Sequence, residues 1–244
     1  MTDSIKTAGI CIIGNEILSG RTKDTNLGTI AVFCEGLGIQ VKEGRTVADE
    51  EGAIVEAVNA LRARYDYVFT TGGIGPTHDD ITADAIAKAF GVPLLHHPGA
   101  MALLAKHYGP ERFNEARQRM ARAPQGAELI DNPVSVAPGF MMENVIVMAG
   151  IPVVMTSMLE SVRPRLVGGP KMLTEVVICT LPEGDIAAPL EAIQKRYPTV
   201  SIGSYPSFAG GKPLLRIVLR STDATALSKA KTDTNAIAAP FGQA

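Results

Sequence analysis

Tyr67-Val68-Phe69-Thr70-Thr71-Gly72-Gly73-Ile74-Gly75-Pro76-Thr77-His78-Asp79-Asp80-Ile81-Thr82-Ala83-Asp84-Ala85-Ile86 decides how the rest of the chain is read. A short apolar run of β type feeds into three glycines, then a threonine and two adjacent aspartates. A helical pattern opens after them, with Ile81, Ala85, Ile86, Ala89 and Phe90 on one face. Glycines let backbone N–H groups approach an anion because no Cβ intervenes. The N-terminus of the following helix also favours negative charge. The stretch therefore suits a phosphate-bearing ligand held beside carboxylates. Those two kinds of anion repel each other unless a divalent metal or a proton lies between them. The plainer reading is a tight strand-to-helix turn in which Thr77 and Asp80 form a capping box. No Lys-Ser/Thr follows the glycines, which excludes a P-loop, and Gly72-Gly73-x-Gly75 is not the G-x-G-x-x-G dinucleotide fingerprint.

Outward from this loop, strands and helices alternate. Ala8 to Ile13 is a continuous apolar run, the pattern of a strand buried on both faces. Gly14-Asn15-Glu16-Ile17-Leu18 follows at its carboxyl end, where open α/β sheets place ligands. Asp24-Thr25-Asn26 offers N-caps to a helix burying Leu27, Ile30, Ala31 and Cys34. Val41 to Val47 reads as a weaker strand, and Asp49-Glu50-Glu51 opens a helix with Ile54, Val58 and Leu61 inward. The helix from Thr82 ends at Gly91, and Val92-Pro93 prevents its continuation. This alternation predicts a mainly parallel, doubly wound sheet in a three-layer αβα domain over residues 4–167.

Residues 95–125 break the rhythm. His96 and His97 have no partner at zinc-like spacing. Gly99 to Tyr108 and Glu111 to Arg122 read as helices, the second carrying Arg112, Arg117, Arg119 and Arg122. Such a basic helix is a solvated face or a means of steering an anionic ligand. Val145 to Met148 is a further strand that runs into Gly150 and Pro152. A proline at the first helical position makes this a second strand-to-helix anion site. Gly168-Gly169-Pro170 marks a linker. Beyond it, Leu173 to Leu181, a stripe of Ile186, Leu190, Ile193 and Tyr197, Val200 to Tyr205, Leu215 to Leu219, and an alanine-rich helix from Asp223 to Ala238 predict a small α+β domain over residues 171–244. No catalytic constellation is found in that second domain.

The bulk numbers exclude several classes. With 244 residues, 46% hydrophobic and 20% charged, the chain is long enough for one large domain and a small partner. A net charge of −2 argues against a general nucleic-acid binder. No stretch approaches the roughly 18 continuous apolar residues that span a membrane, and no membrane partner is expected. Cys11, Cys34 and Cys179 are isolated and odd in number, which predicts reduced core thiols in a cytoplasmic protein.

Thr71-Gly72-Gly73-Ile74-Gly75-Pro76-Thr77-x-Asp79-Asp80-Ile81-Thr82 resembles the signature loop of the molybdopterin-binding family, the fold of molybdenum-cofactor biosynthesis proteins. The Pro-Thr-x-Asp-Asp variant resembles its competence/damage-inducible protein A branch, whose N-terminal domain is an ADP-ribose pyrophosphatase. Gly14 to Leu18 is similar to the family's Gly-Asp-Glu-Ile-Leu, with Asn15 in place of the acid. Asp-Thr-Asn is also the family's sequence, so Asn26 faces the ligand or simply caps its helix. The resemblance pairs Asp49 with Asp80, the two positions implicated in catalysis in the adenylyltransferase branch, and Arg117 matches a position often basic. Asn132-Pro133 and Ala137-Pro138-Gly139 resemble a further segment, with Ser135 where glycine is usual. Ala149 to Met155 resembles Pro-Gly-Val-Pro-x-Glu-Met, with Val154 replacing the glutamate. A deamidase domain normally follows in this branch; here the chain stops at Ala244, so that activity is expected to be absent. The resemblance further implies a homodimer or trimer.

Three functions follow. The first is a metal-dependent pyrophosphatase acting on ADP-ribose, with Mg²⁺, Mn²⁺ or Co²⁺ bridging phosphate and carboxylates. In it Asp80 and Asp49 are metal ligands or orient water, with Asp79 and Glu16 next. Amides from Gly72 to Thr77 bind the second phosphate, and Thr77 and Thr82 donate hydrogen bonds to phosphate. Asn15, Asn26, Gly150 and Pro152 complete the ligand contacts. The second is adenylyl transfer to molybdopterin at the same site. The third is a phosphate-ligand or molybdopterin binder without turnover, motivated by Asn15 and Val154.

Overall fold

The computed structural model describes residues 5–180, 182–209 and 212–239. Expectations for residue 4, Leu181 and residues 240–244 fall outside them. The described chain divides into two units at Gly169/Pro170.

In the first unit the elements are β1 (Lys6–Ile13), α1 (Asn15–Leu18), α2 (Asn26–Gly36), β2 (Ile39–Val47), α3 (Glu51–Arg62), β3 (Tyr67–Thr71), α4 (Thr82–Phe90), β4 (Leu94–His96), α5 (Pro98–Tyr108), α6 (Glu115–Arg119), β5 (Arg122–Pro124), β6 (Glu128–Ile130), β7 (Gly139–Met142), β8 (Val145–Met148) and α7 (Pro152–Val162). Six strands form one sheet in the order β2-β1-β3-β8-β7-β6. The first four run parallel, while β7 and β6 return antiparallel. The two antiparallel strands are three and four residues long and escaped the sequence reading.

Why the central runs are apolar throughout follows from the layers. Along β1, Ile10 and Ile12 join Phe69, Ile146 and Met148 against α2 and α7, through Ile30, Phe33, Met155 and Met158. Cys11 and Ile13 face the other way with Val68 and Val147, against Ile54, Val58 and Leu61 of α3 and Ala85 and Ile86 of α4. Successive strand side chains point to opposite faces, so a sheet covered on both needs apolar residues at every position. Each fully buried aliphatic or aromatic side chain contributes roughly 1.5–3 kcal/mol. On α2 the inward position expected for Ala31 belongs to Phe33; Ala31 is only half-buried.

The parallel register sets up the site. Ile12 lies beside Thr71, and Thr71 beside Met148. The loops after β1, β3 and β8 therefore leave the sheet side by side at its carboxyl edge, where such sheets bind ligands.

Two expectations between residues 95 and 125 are corrected. The predicted helix over Glu111–Arg122 shrinks to the five residues of α6, because Asn114 caps it by accepting from the Arg117 amide. Arg122 already belongs to β5, paired with β4, and holds Asp84 through two bonds of 3.1 and 2.9 Å. The adjacent histidines have a structural explanation: His96 sits in β4, and His97 Nδ1 accepts from the Gly99 amide as the cap of α5.

The second unit comprises β9 (Leu173–Cys179), α8 (Glu183–Arg196), β10 (Ser201–Ala209), β11 (Lys212–Ser221) and α9 (Ala224–Ala238). Its strands pair antiparallel in the order β10-β11-β9. Val177, Cys179, Leu215, Ile217 and Leu219 pack against Ile186, Ile193, Leu227 and Ala230. Asp223 caps α9, accepting from the amides of Thr225 and Ala226. All three cysteines are buried and free, and burial pushes the Cys11 and Cys34 thiols up to about 12. Among the described residues no helix is long and apolar enough to cross a membrane.

Candidate functional site

The glycine loop is built from within. Gly72 has φ 109°, and a Cβ there would stand 2.0 Å from the Ile13 carbonyl oxygen. Neither the backbone conformation nor the space admits a side chain. Its amide is spent on the sheet edge, donating to Met148 O at 3.1 Å. Thr82, fully buried, turns its hydroxyl into the loop and donates to Gly72 O at 2.9 Å, while its amide donates to Gly73 O at 3.0 Å. The hydroxyl expected to serve a phosphate is thus engaged with the loop's own backbone and holds its shape.

Thr77 is engaged in the same way. Its amide donates to Asp80 Oδ2 at 2.8 Å, and its hydroxyl donates to the same oxygen. These bonds close a Thr77–Asp80 turn ahead of the helix. The capping-box reading fails, since α4 starts later, at Thr82, with Ile81 as a cap that makes no side-chain bond. Of the amides expected to bind phosphate, Gly72 and Thr77 are occupied and Pro76 has none. Gly73, Ile74 and Gly75 remain, with no hydrogen-bond partner among the described residues. The Asp80 carboxylate lies against Gly75, where a Cβ would meet Oδ2 at 2.6 Å. Its hydrogen bonds fall on Oδ2 and leave Oδ1 without one. Asp79 is exposed.

Asp49 is drawn elsewhere. Its Oδ2 accepts from the Asn15 amide at 2.8 Å, bracing the turn after β1. The Asn15 side chain is exposed. Asn26 is no cap; Asp24 does that work, accepting from the amides of Asn26 and Leu27. The Asn26 Nδ2 donates to Thr71 Oγ1 at 2.9 Å and to Gly150 O at 2.7 Å, joining two loops from one buried side chain. Its Oδ1 is buried without a partner.

These loops enclose a cavity of about 560 Å³ lined by Glu16, Gly72, Gly73, Gly75, Pro76, Asp80, Gly150 and Pro152 from the expected set. Asn15, Asn26, Asp49, Thr77, Asp79 and Thr82 do not line it. Asn26 borders a narrow recess that shares Glu16, Gly150 and Pro152 with it. Ile74, Met120, Asn132, Ser135, Ile151 and Val154 also line the cavity and were missed as site residues. Ser135 and Val154 did carry a signal, as departures from the resembling segments. Asn132 shapes its loop by accepting from the amides of Val134 and Ser135 and donating to Ser135 Oγ and Ala137 O. Val154 is 4% exposed and packs into the core, so it brings only apolar surface to the wall. The basic helix also resolves. The Arg117 guanidinium stacks 4.4 Å from the Tyr108 ring and donates to Arg112 O. Arg119 instead reaches Asp80 O at 3.5 Å.

The pattern of the family described as "Probable molybdopterin binding domain" matches residues 9–167, which include every residue lining the cavity. The chain belongs to that family. Within it the protein is CinA-like. The solved structure of the CinA protein from Thermoplasma acidophilum, itself of unknown function, is 35% identical with a TM-score of 0.63, covering 66% of this chain and 97% of that one. A CinA-like protein of Desulfosudis oleivorans is 38% identical over 166 residues, 65% of this chain and 40% of its own length. A protein of Pyrobaculum arsenaticum is 38% identical over 222 residues, 86% of this chain and 84% of its own. Residues 171–238 match a different pattern, "FAD synthase, middle domain". The molybdopterin-binding domain thus carries the cavity, and the second unit follows it.

Proposed function

We propose that this CinA-like protein hydrolyses the pyrophosphate bond of a nucleotide, with ADP-ribose as substrate and Mg²⁺, Mn²⁺ or Co²⁺ assisting. One observation carries the reading: three unpaired loop amides, of Gly73, Ile74 and Gly75, stand beside an immobilised carboxylate at the edge of one cavity. The amides, ahead of the α4 N-terminus, suit one phosphate group. The volume falls within the ~300–1,000 Å³ usual for small-molecule sites. Ile74, Met120, Ile151 and Pro152 give an apolar wall for the nucleoside part.

No three His, Cys, Asp or Glu among the described residues converge as a metal cage. Mg²⁺ is ordinarily held by only one or two carboxylates, with phosphate oxygens and water completing the shell. Asp80, with Oδ1 open, and Glu16 both line the cavity and fit that donor set. When bound, such an ion supplies charge neutralisation and a more acidic water. The Thr77 amide and hydroxyl fix the Asp80 carboxylate, and Asp49 fixes the turn that presents Glu16.

The test is AMP release from ADP-ribose with each ion and with EDTA. Metal-dependent release that falls at least ~100-fold in Asp80→Asn supports the hydrolase. No release with any ion removes it. A binder without turnover is the second reading, favoured by the apolar Val154 in the wall. Hydrolysis gained in an Asn15→Asp/Val154→Glu double variant supports a decayed enzyme, and none gained counts against it.

A further inference from the structure

The charged residues lining the cavity are Glu16 and Asp80, both acidic, yet the ligand proposed above is an anion. Two carboxylates facing a diphosphate oppose its binding unless positive charge stands close. A smaller recess shares Gly73, Ile74, Gly75 and Asp80 with the cavity and adds two arginines, Arg119 and Arg122.

The two differ in how they are occupied. Arg122 commits both terminal nitrogens to Asp84, at 3.1 and 2.9 Å. Arg119 has only the contact of one terminal nitrogen with the Asp80 carbonyl, at 3.5 Å, the long limit of a hydrogen bond. Its Nε, like that of Arg122, is buried and has no partner among the described residues, so the difference lies in the terminal nitrogens. A buried guanidinium donor left unpaired is costly and uncommon in native structures. Arg119 lines the same small recess as Gly73, Ile74 and Gly75, whose amides are also unpaired. The other arginines of the segment are engaged: Arg117 on Tyr108 and Arg112 O, and Arg112 on Tyr108 O.

We propose that Arg119 is the cationic ligand-binding residue of this site, engaging the phosphate group that rests on the Gly73–Gly75 amides; this deepens the anionic-ligand reading and rests on it. A planar guanidinium presents paired donors that match phosphate oxygens. Its attachment to the Asp80 carbonyl keeps it at the loop with most of its donors still open. The same charge offsets the repulsion from Asp80 and Glu16, whether or not a metal ion also binds.

Calorimetric titration with inorganic pyrophosphate in EDTA tests this apart from hydrolysis. The proteins are the wild type, Arg119→Gln, Arg119→Lys and, as a control for lost charge, Arg117→Gln. The wild type is expected to bind, Arg119→Gln to weaken binding about ten- to a hundredfold, Arg119→Lys to fall between, and Arg117→Gln to stay within about twofold. If Arg119→Gln does not fold, the lysine variant carries the comparison. Equal binding by wild type and Arg119 variants overturns the proposal, as does an equal loss in Arg117→Gln or a wild type that does not bind. Arg119-dependent binding without ADP-ribose cleavage keeps the proposal and removes the hydrolase. Cleavage with an unchanged KM in Arg119→Gln does the reverse.

Discussion

The two units satisfy their polar groups very differently. The buried side-chain atoms without a partner, Asn26 Oδ1, Thr70 Oγ1, Arg119 Nε, Arg122 Nε and Ser157 Oγ, all lie in the first unit. None lies among the described residues of the second. There Asp223 caps its helix, Gln194 bridges to Val200 O and the Ile202 amide, and Asp233 takes both Arg196 and Tyr197. Unpaired buried groups reduce stability. Among the described residues, then, the unit that holds the cavity is also the one that tolerates unpaired buried groups.

The sharpest way to break that contrast is a matched pair of glycine substitutions. Gly72→Ala drives a Cβ into the Ile13 carbonyl and is expected to cost at least about 4 kcal/mol. Gly184→Ala, in α8 with nothing within 4 Å of the added carbon, is expected to be neutral or to stabilise by about 0.5 kcal/mol. Chemical denaturation reads both. Equal effects would mean that the loop is as forgiving as a surface helix. Next comes Asn26→Ala, which releases Thr71 and Gly150 together; a loss of about 2–3 kcal/mol is expected, with pyrophosphate affinity falling too. Unchanged affinity would reduce Asn26 to a core hydrogen bond.

Smaller still is the pair Thr82→Val and Thr234→Val. The first strands the Gly72 carbonyl and is expected to cost about 1–2 kcal/mol. The second deletes a hydroxyl that donates to Ala230 O within α9 and should change the melting temperature little. The smallest effect concerns the thiols of the first unit. Cys11 and Cys34 are raised from 9.0 to about 12 by burial. The native state keeps those protons while the unfolded chain releases them. The resulting stability is therefore full below about pH 9 and declines as pH climbs toward about 12. Cys34→Ala should flatten that decline between pH 9 and 10.5 in thermal melts, and an identical slope would contradict the assignment.

Much of this was legible in the chain. The runs of Ala8–Ile13 and Val145–Met148 announced strands covered on both faces, Gly91 with Val92-Pro93 announced a helix end, and the β-α-β-β-α order of the second unit read directly from its alternations. The glycine loop was legible as a strand-to-helix loop at the carboxyl edge of the sheet, and its glycines do line the cavity. What stayed hidden was direction. Spacing cannot say that Thr77 and Thr82 point their hydroxyls at the loop's own atoms, nor that Asp49 spends an oxygen on the Asn15 amide. The arginine segment failed for a similar reason. Local helical preference over Glu111–Arg122 was overridden by the Asn114 cap and by pairing of β5 with β4, and only that break carries Arg119 to Asp80.

Asn26 has a mechanical consequence as well. Gly72 and Gly150 approach so closely that a Cβ on Gly150 would lie 3.3 Å from the Gly72 Cα, and one amide group rivets the strand end and loop on either side of that gap. The rivet sits on the first turn of α2, whose Ile30, Phe33 and Cys34 are locked in the core. Prying the loops apart would drag that helix out of register with the sheet. The spacing of the two loops is therefore tied, through one side chain, to the packing of a helix in the core.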